Sequence, residues 1–143
     1  MTDSLNFGVT IPFVEHLGVR LHACHEGMSE LRLQPRAEHL NSYHVVHGGV
    51  VMTLLDVTMA MAARSFDRSQ GAVTVEMKTS FMQAARGPLR AVGRLMHRSA
   101  TLAFTEATVF DAHDKPCAHA SGTFKYMHRL PTGVRSVQPF RAS

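Results

Sequence analysis

Asn41-Ser42-Tyr43-His44-Val45-Val46-His47-Gly48-Gly49 leads without a break into Val50–Ala63, a stretch whose one charged side chain is Asp56. A His-Gly-Gly turn can present bare backbone N–H groups at a helix start, where the helix dipole favours negative charge. A carboxylate and free amide donors are the parts of a hydrolytic site. Their spacing adds a constraint. If Gly48 or Gly49 opens a helix that contains Asp56, the two lie about 11 to 12 Å apart along its axis at the ordinary helical rise. An amide that polarises a carbonyl must sit about 3 Å from the developing charge, so one reacting centre cannot touch both within one helix. Both can act on one substrate only if they come from different chains. Two such helices lying antiparallel across a two-fold axis would bring the start of one beside the middle of the other. The sequence therefore predicts a homodimer with two shared sites.

The Gly48–Arg64 stretch is apolar nearly all round, which describes a helix buried on most sides. On either side the pattern changes to that of strands. Before it, Phe13–Leu17 reads as a short helical turn stopped by Gly18, and Val19–His25 and Met28–Gln34 as two strands joined by Glu26-Gly27. After it, Val73, Val75, Met77, Thr79 and Phe81 alternate with Thr74, Glu76, Lys78 and Ser80. Three more strands are expected near Leu89–His97, Leu102–Asp111 and Pro116–Met127, separated by turn-forming residues. The four strands after the helix, with short connections, are expected to form one antiparallel meander. The sheet needs a cover for its apolar face, and the central helix is the one candidate of sufficient size. The fold class is thus α+β, a curved antiparallel sheet wrapped around one long helix, which is the hot-dog fold. Residues 1–143 are read as a single domain with its core at about 13–128, and 129–143 as a basic, flexible tail.

Charge narrows the function further. The chain holds 15 Lys and Arg against 11 Asp and Glu. Three of the basic residues, Arg129, Arg135 and Arg141, fall in the tail. The rest of the chain is nearly neutral, which argues against a nucleic-acid partner. No apolar run approaches the length of a membrane span. Cys24 and Cys117 follow no metal spacing, and the start of the chain is unlike a signal peptide, so a reducing cytoplasm is expected. His44 and His47, like His22 and His25, have an H-x-x-H spacing, but no third ligand presents itself, so no metal and no cofactor are expected.

Asn41, His47, Gly48, Gly49 and Asp56 match a known arrangement: Asn-x-x-Gly-x-x-His-Gly-Gly, then an apolar helix with an acid nine positions after the His. With the block Val73–Phe81, Gly87, Leu102-Ala103-Phe104 and Ala120–Phe124, the chain resembles the hot-dog thioesterases of the 4-hydroxybenzoyl-CoA thioesterase superfamily, in its PaaI-like branch. The likeness covers about residues 15–127. One position departs: the Gly of Asn-x-x-Gly is His44 here.

The resemblance implies an acyl-CoA thioesterase that releases a free acid and coenzyme A. Asp56 would be nucleophile or general base, and the Gly48 N–H of the partner subunit, with Gly49 beside it, would polarise the carbonyl. His47 and Asn41 would order the loop and meet the leaving group, and Thr74 would hold the water or steady Asp56. Dimers of this fold often pair again, so a homotetramer is expected. Arg90, Arg94 and Arg98 share one parity in a β-like stretch with no acid from Met77 through Thr105, and could receive the phosphates of coenzyme A on one face. Two other readings compete. A hot-dog hydratase or dehydratase would want a His-Phe-Pro-Gly type of motif, which is missing. A non-catalytic acyl-CoA sensor would keep the pocket without needing Asp56.

Overall fold

The computed structural model describes residues 5–128, so the expected tail at 129–143 lies outside the described residues. The chain opens with α1 (Pro12–Leu17), whose proline stands in the first turn and whose end is Gly18 at φ 79°. β1 (Arg20–His25) and β2 (Met28–Leu33) form a hairpin. Its two turn residues, Glu26 and Gly27, both have positive φ, as a tight hairpin turn demands. A single turn of 3-10 helix at Ala37–His39 interrupts the following segment. α2 (Gly48–Ala63) is the only long helix among the described residues, and β3 (Gly71–Phe81), β4 (Leu89–Arg98), β5 (Leu102–Phe110) and β6 (Pro116–Met127) follow it.

The six strands form one antiparallel sheet in the order β1-β2-β4-β5-β6-β3, packed on α2. This corrects one expectation. Only β4, β5 and β6 form a meander, while β2 pairs with β4, and β3 pairs with β6 at the far edge. Residues 82–88 carry the chain across the end of the sheet. The amides of Met82 and Gln83 bond the Cys117 carbonyl, and the Val46 amide bonds that of Ala85. A link that long frees β4 to sit beside β2, which places helix α2 between the hairpin and β3.

The core explains why α2 is apolar on nearly every side. Leu54, Leu55, Met59 and Met61 are fully enclosed, facing Leu21, Leu31, Ala91, Val109 and Phe124 of the sheet. Burial of such side chains contributes about 1.5 to 3 kcal/mol each. The helix approaches the sheet closely at Gly93. A Cβ there would lie 2.6 Å from Ser29 Oγ and 2.9 Å from the Thr58 carbonyl oxygen, a space no side chain can share. Ser29 Oγ itself donates to that carbonyl at 2.6 Å.

Beyond Ala63 the chain turns on Arg64, which is only 4% exposed. Its guanidinium donates to the carbonyls of Phe7, Arg68 and Gln70, tying the N-terminal segment and the 65–70 loop to the end of α2. A buried cation needs such acceptors, and its place at a helix C-terminus suits the dipole.

Candidate active site

The amino end of α2 is built by the preceding loop. Asn41 Oδ1 accepts from the amides of Tyr43 and Val45, and the Asn41 amide and carbonyl bond Val45 and His44, so one side chain folds the whole 41–45 turn. His44, standing at the departing position, takes φ 59°, the left-handed conformation that glycine adopts without penalty. His47 then serves as the N-cap: its Nδ1 accepts the Gly49 amide at 2.8 Å, and its own amide donates to the His39 carbonyl.

That cap sorts the two glycines. The Gly49 N–H, expected to stand beside Gly48 at the substrate, is engaged by His47 instead. As the first residue of the helix, Gly48 has no acceptor for its N–H within the helix. It is the open donor at the positive end of the dipole. Phe81 lies against it, with a ring carbon 3.4 Å from where a Gly48 Cβ would be. A cavity of about 300 Å³ adjoins this point, lined by Asn41, Gly48, Val51, Phe81, Gln83 and Ala118 among others. Phe81 and the 82–85 segment were not singled out from the sequence. Their signal is only an apolar strand end running into a long link.

Asp56 lies two turns along the same helix, about 12 Å from Gly48 at the ordinary rise. It is half-buried, on the stripe of α2 that the sheet leaves uncovered, beside Thr53 and Ala60. Thr74 of β3 donates its hydroxyl to Asp56 Oδ1 at 2.6 Å. Such a bond fixes the carboxylate and leaves Oδ2 to act on a substrate or water. The structure thus brings Asp56 and Thr74 together, and Asn41, His47 and Gly48 together, as two separate clusters along one helix of one protomer.

The arginines are arranged differently from the expected stripe. Arg90 and Arg94 alternate with buried Leu89, Ala91 and Gly93, and so project from the sheet face away from α2. Arg94 is paired with Glu106 at 2.7 Å, and Arg90 with Glu30 and Asp114. The Arg94 hydrogen bond holds the Glu106 carboxyl below its ordinary value. Arg98 leaves the row, because a β-bulge at Met96 shifts the register and reverses its parity. It pairs instead with buried Ala103, and its guanidinium stacks over the Phe66 ring at 4.4 Å from the centroid. No group of three His, Cys, Asp or Glu side chains that could hold a metal occurs among the described residues.

A sheet packed on one long central helix, with a His-Gly-Gly cap at the start of that helix, defines a hot-dog protein. The sequence profile of the thioesterase superfamily matches residues 43–118, from the loop before α2 to the start of β6. The chain belongs to that superfamily. A conserved protein of Pseudomonas aeruginosa of known structure is 32% identical, with a TM-score of 0.79 over 84% of this chain and 97% of that one. The Escherichia coli PaaI protein from the phenylacetic acid degradation operon, at 21% identity, superposes with a TM-score of 0.75 over 85% of this chain and 86% of its own. A protein of Saccharolobus solfataricus carrying a provisional esterase name is 26% identical over 109 residues, or 76% of this chain and 73% of that protein. No helix among the described residues is long and apolar enough to cross a membrane.

Proposed function

We propose that the protein is an acyl-CoA thioesterase, working as a homodimer in which each site takes the Gly48 amide from one protomer and Asp56 from the other. The observation that carries this reading is the separation of an open amide and a tethered carboxylate along one helix, next to an unpaired strand edge. Among the described residues β3 has β6 on one side only, and along it Val75 and Phe81 are 59% and 54% exposed. Met52 of α2 and Met82 are exposed nearby. A long apolar edge is a liability in a lone chain, and a second copy related by a two-fold axis would cover it.

In this arrangement the thioester carbonyl oxygen accepts from the Gly48 N–H. Asp56 either attacks the carbonyl carbon or takes a proton from the attacking water, while Thr74 holds Oδ1 in place. The tetrahedral centre collapses with loss of the coenzyme A thiolate, a leaving group good enough to need no metal or cofactor. With water as the attacker this gives the free acid directly; with Asp56 as the attacker, a water then hydrolyses the acyl–Asp56 anhydride to the acid and restores the carboxylate. His47 and Asn41 keep the Gly48 amide pointed outward, and Gly49 serves the cap. The Arg90 and Arg94 guanidiniums are the remaining candidates on the outer face for coenzyme A phosphates. The dimers would pair again into a homotetramer in a reducing cytoplasm.

The test is free-thiol release from a panel of acyl-CoAs. Asp56→Ala should lower kcat by about a thousandfold, a barrier increase of about 4 kcal/mol. Tight acyl-CoA binding without turnover by the unaltered protein would defeat the hydrolase reading. Sedimentation of Val75→Lys, which charges the β3 edge, should show monomers that no longer release thiol. A fully active monomer would defeat the shared site.

A further inference from the structure

On the outer face of the sheet, toward the β1 edge and thus opposite the β3 edge, three arginines stand in a row. Arg20 is in register with Arg32, and Arg32 with Arg90. Like charges directly opposite one another on neighbouring strands are destabilising, so the row needs an anionic counterpart. The protein supplies only part of it. Glu30 is shared, 2.9 Å from Arg32 and 3.5 Å from Arg90, and Asp114 reaches Arg90 at 3.2 Å. Arg20 has no carboxylate partner among the described residues. The fourth arginine nearby, Arg36, is fully engaged by Glu38 and by the carbonyls of His16 and Leu17.

All three side chains of the row line a cavity of about 760 Å³, within the range of small-molecule sites. Planar guanidinium forks match phosphate oxygens two at a time, which is why such groupings recognise phosphates rather than isolated point charges. Asp111 and Asp114 also line the cavity, Asp114 held against Arg90 at one end of the row. Asp111 Oδ1 accepts the amides of His113 and Lys115, which fixes the turn and its carboxylate. Carboxylates so placed repel bare inorganic phosphate but accept from ribose hydroxyls or an exocyclic amino group. A concavity that mixes guanidinium forks with carboxylate acceptors suits a nucleotide better than the flat acidic face of another protein.

We infer that this cavity is a nucleoside diphosphate site, with the phosphates at the Arg20 and Arg32 part of the row and the nucleoside toward Asp111. The ligand chemistry has two possible sources: a free nucleotide, or the nucleotide end of coenzyme A, and the second of these rests on the thioesterase reading. Calorimetric titration with ADP, with coenzyme A and with inorganic pyrophosphate tests the site without needing turnover, so failure of the hydrolase reading would leave the result standing. ADP should bind the unaltered protein more tightly than pyrophosphate does. Binding should weaken by about tenfold or more in R20Q/R32Q, equivalent to about 1.4 kcal/mol, and further in Arg20→Glu, which disturbs no existing pair. KM then separates the sources. A rise in R20Q/R32Q for acyl-CoA but not for the acyl-pantetheine thioester assigns the site to the substrate's nucleotide, and an unchanged KM with lost ADP binding assigns it to a free nucleotide. If ADP and coenzyme A both fail to bind at millimolar concentration, or bind R20Q/R32Q and Arg20→Glu as tightly as the unaltered protein, the inference is overturned.

Discussion

The two ends of α2 are treated in opposite ways. At its carboxyl end, Arg64 closes over the carbonyls of Phe7, Arg68 and Gln70, Ser65 Oγ donates to the Ala62 carbonyl, and Tyr126 donates to that of Ala63. At its amino end the cap stops one group short, with the Gly49 amide held by His47 and the Gly48 amide left open. Full satisfaction at one end fixes the helix, and incomplete satisfaction at the other leaves a donor that the proposed chemistry would use. On that proposal, stability and function are separated by the length of a single rod.

The largest test of this contrast removes the closure. Arg64→Leu orphans three carbonyls at once and should cost about 3 kcal/mol of folding stability in a denaturant titration. Thiol release at low temperature should persist, and a variant that lost activity before stability would break the division between the two ends. Smaller is Thr74→Val, which frees Asp56 Oδ1: kcat should fall by about tenfold with the melting temperature nearly unchanged, a barrier difference of about 1.4 kcal/mol.

Gly49→Ala sharpens the amino end. Its Cβ would come within 3.0 Å of His47 Nδ1, so the ring must shift and the cap weaken, by about 1 kcal/mol. Activity should drop through misplacement of the Gly48 amide, which retention of full kcat would contradict.

The smallest effect is one of pH. His39 is buried, its carbonyl supports His47, and its Nδ1 accepts the Arg36 amide. Burial, with Arg36 and His16 nearby and Glu38 opposing them, lowers its pKa from the ordinary histidine value. The unfolded chain therefore binds this proton first as pH falls. Its contribution to stability is present above the ordinary histidine pKa of about 6.5 and declines below it, down to the folded pKa. His39→Asn, which can keep an acceptor for Arg36, should flatten the melting profile between about pH 7 and pH 5.5 by a fraction of a kcal/mol. An unchanged profile would remove His39 from the account.

Much of this was legible in the residues, for identifiable reasons. α2 and the strands declare themselves by local periodicity, and their observed ends fall within a residue or two of the expected ones, Gly48–Ala63 among them. The His-Gly-Gly cap is a local motif, and the left-handed His44 follows from where a glycine was expected. What could not be read is non-local. Periodicity does not encode which strand lies beside which, so β3 appeared to continue into β4 when it crosses to the edge. Nor does parity survive an extra residue, and the bulge at Met96 carried Arg98 to the other face. The arginines that do line up belong to three different strands, an arrangement no single segment displays.

The near contact of Gly93 with Thr58 and Ser29 has an evolutionary corollary. A Cβ at Gly93 has no room against the Ser29 hydroxyl and the methyl and carbonyl of Thr58, so that seam can accept almost no larger side chain. The flank where Met52, Phe81 and Met82 are exposed on the protomer, and would meet a second copy in the proposed dimer, is not bound by that close approach. If the proposed function holds, change in preference for one acyl group over another is expected on that flank rather than at the seam.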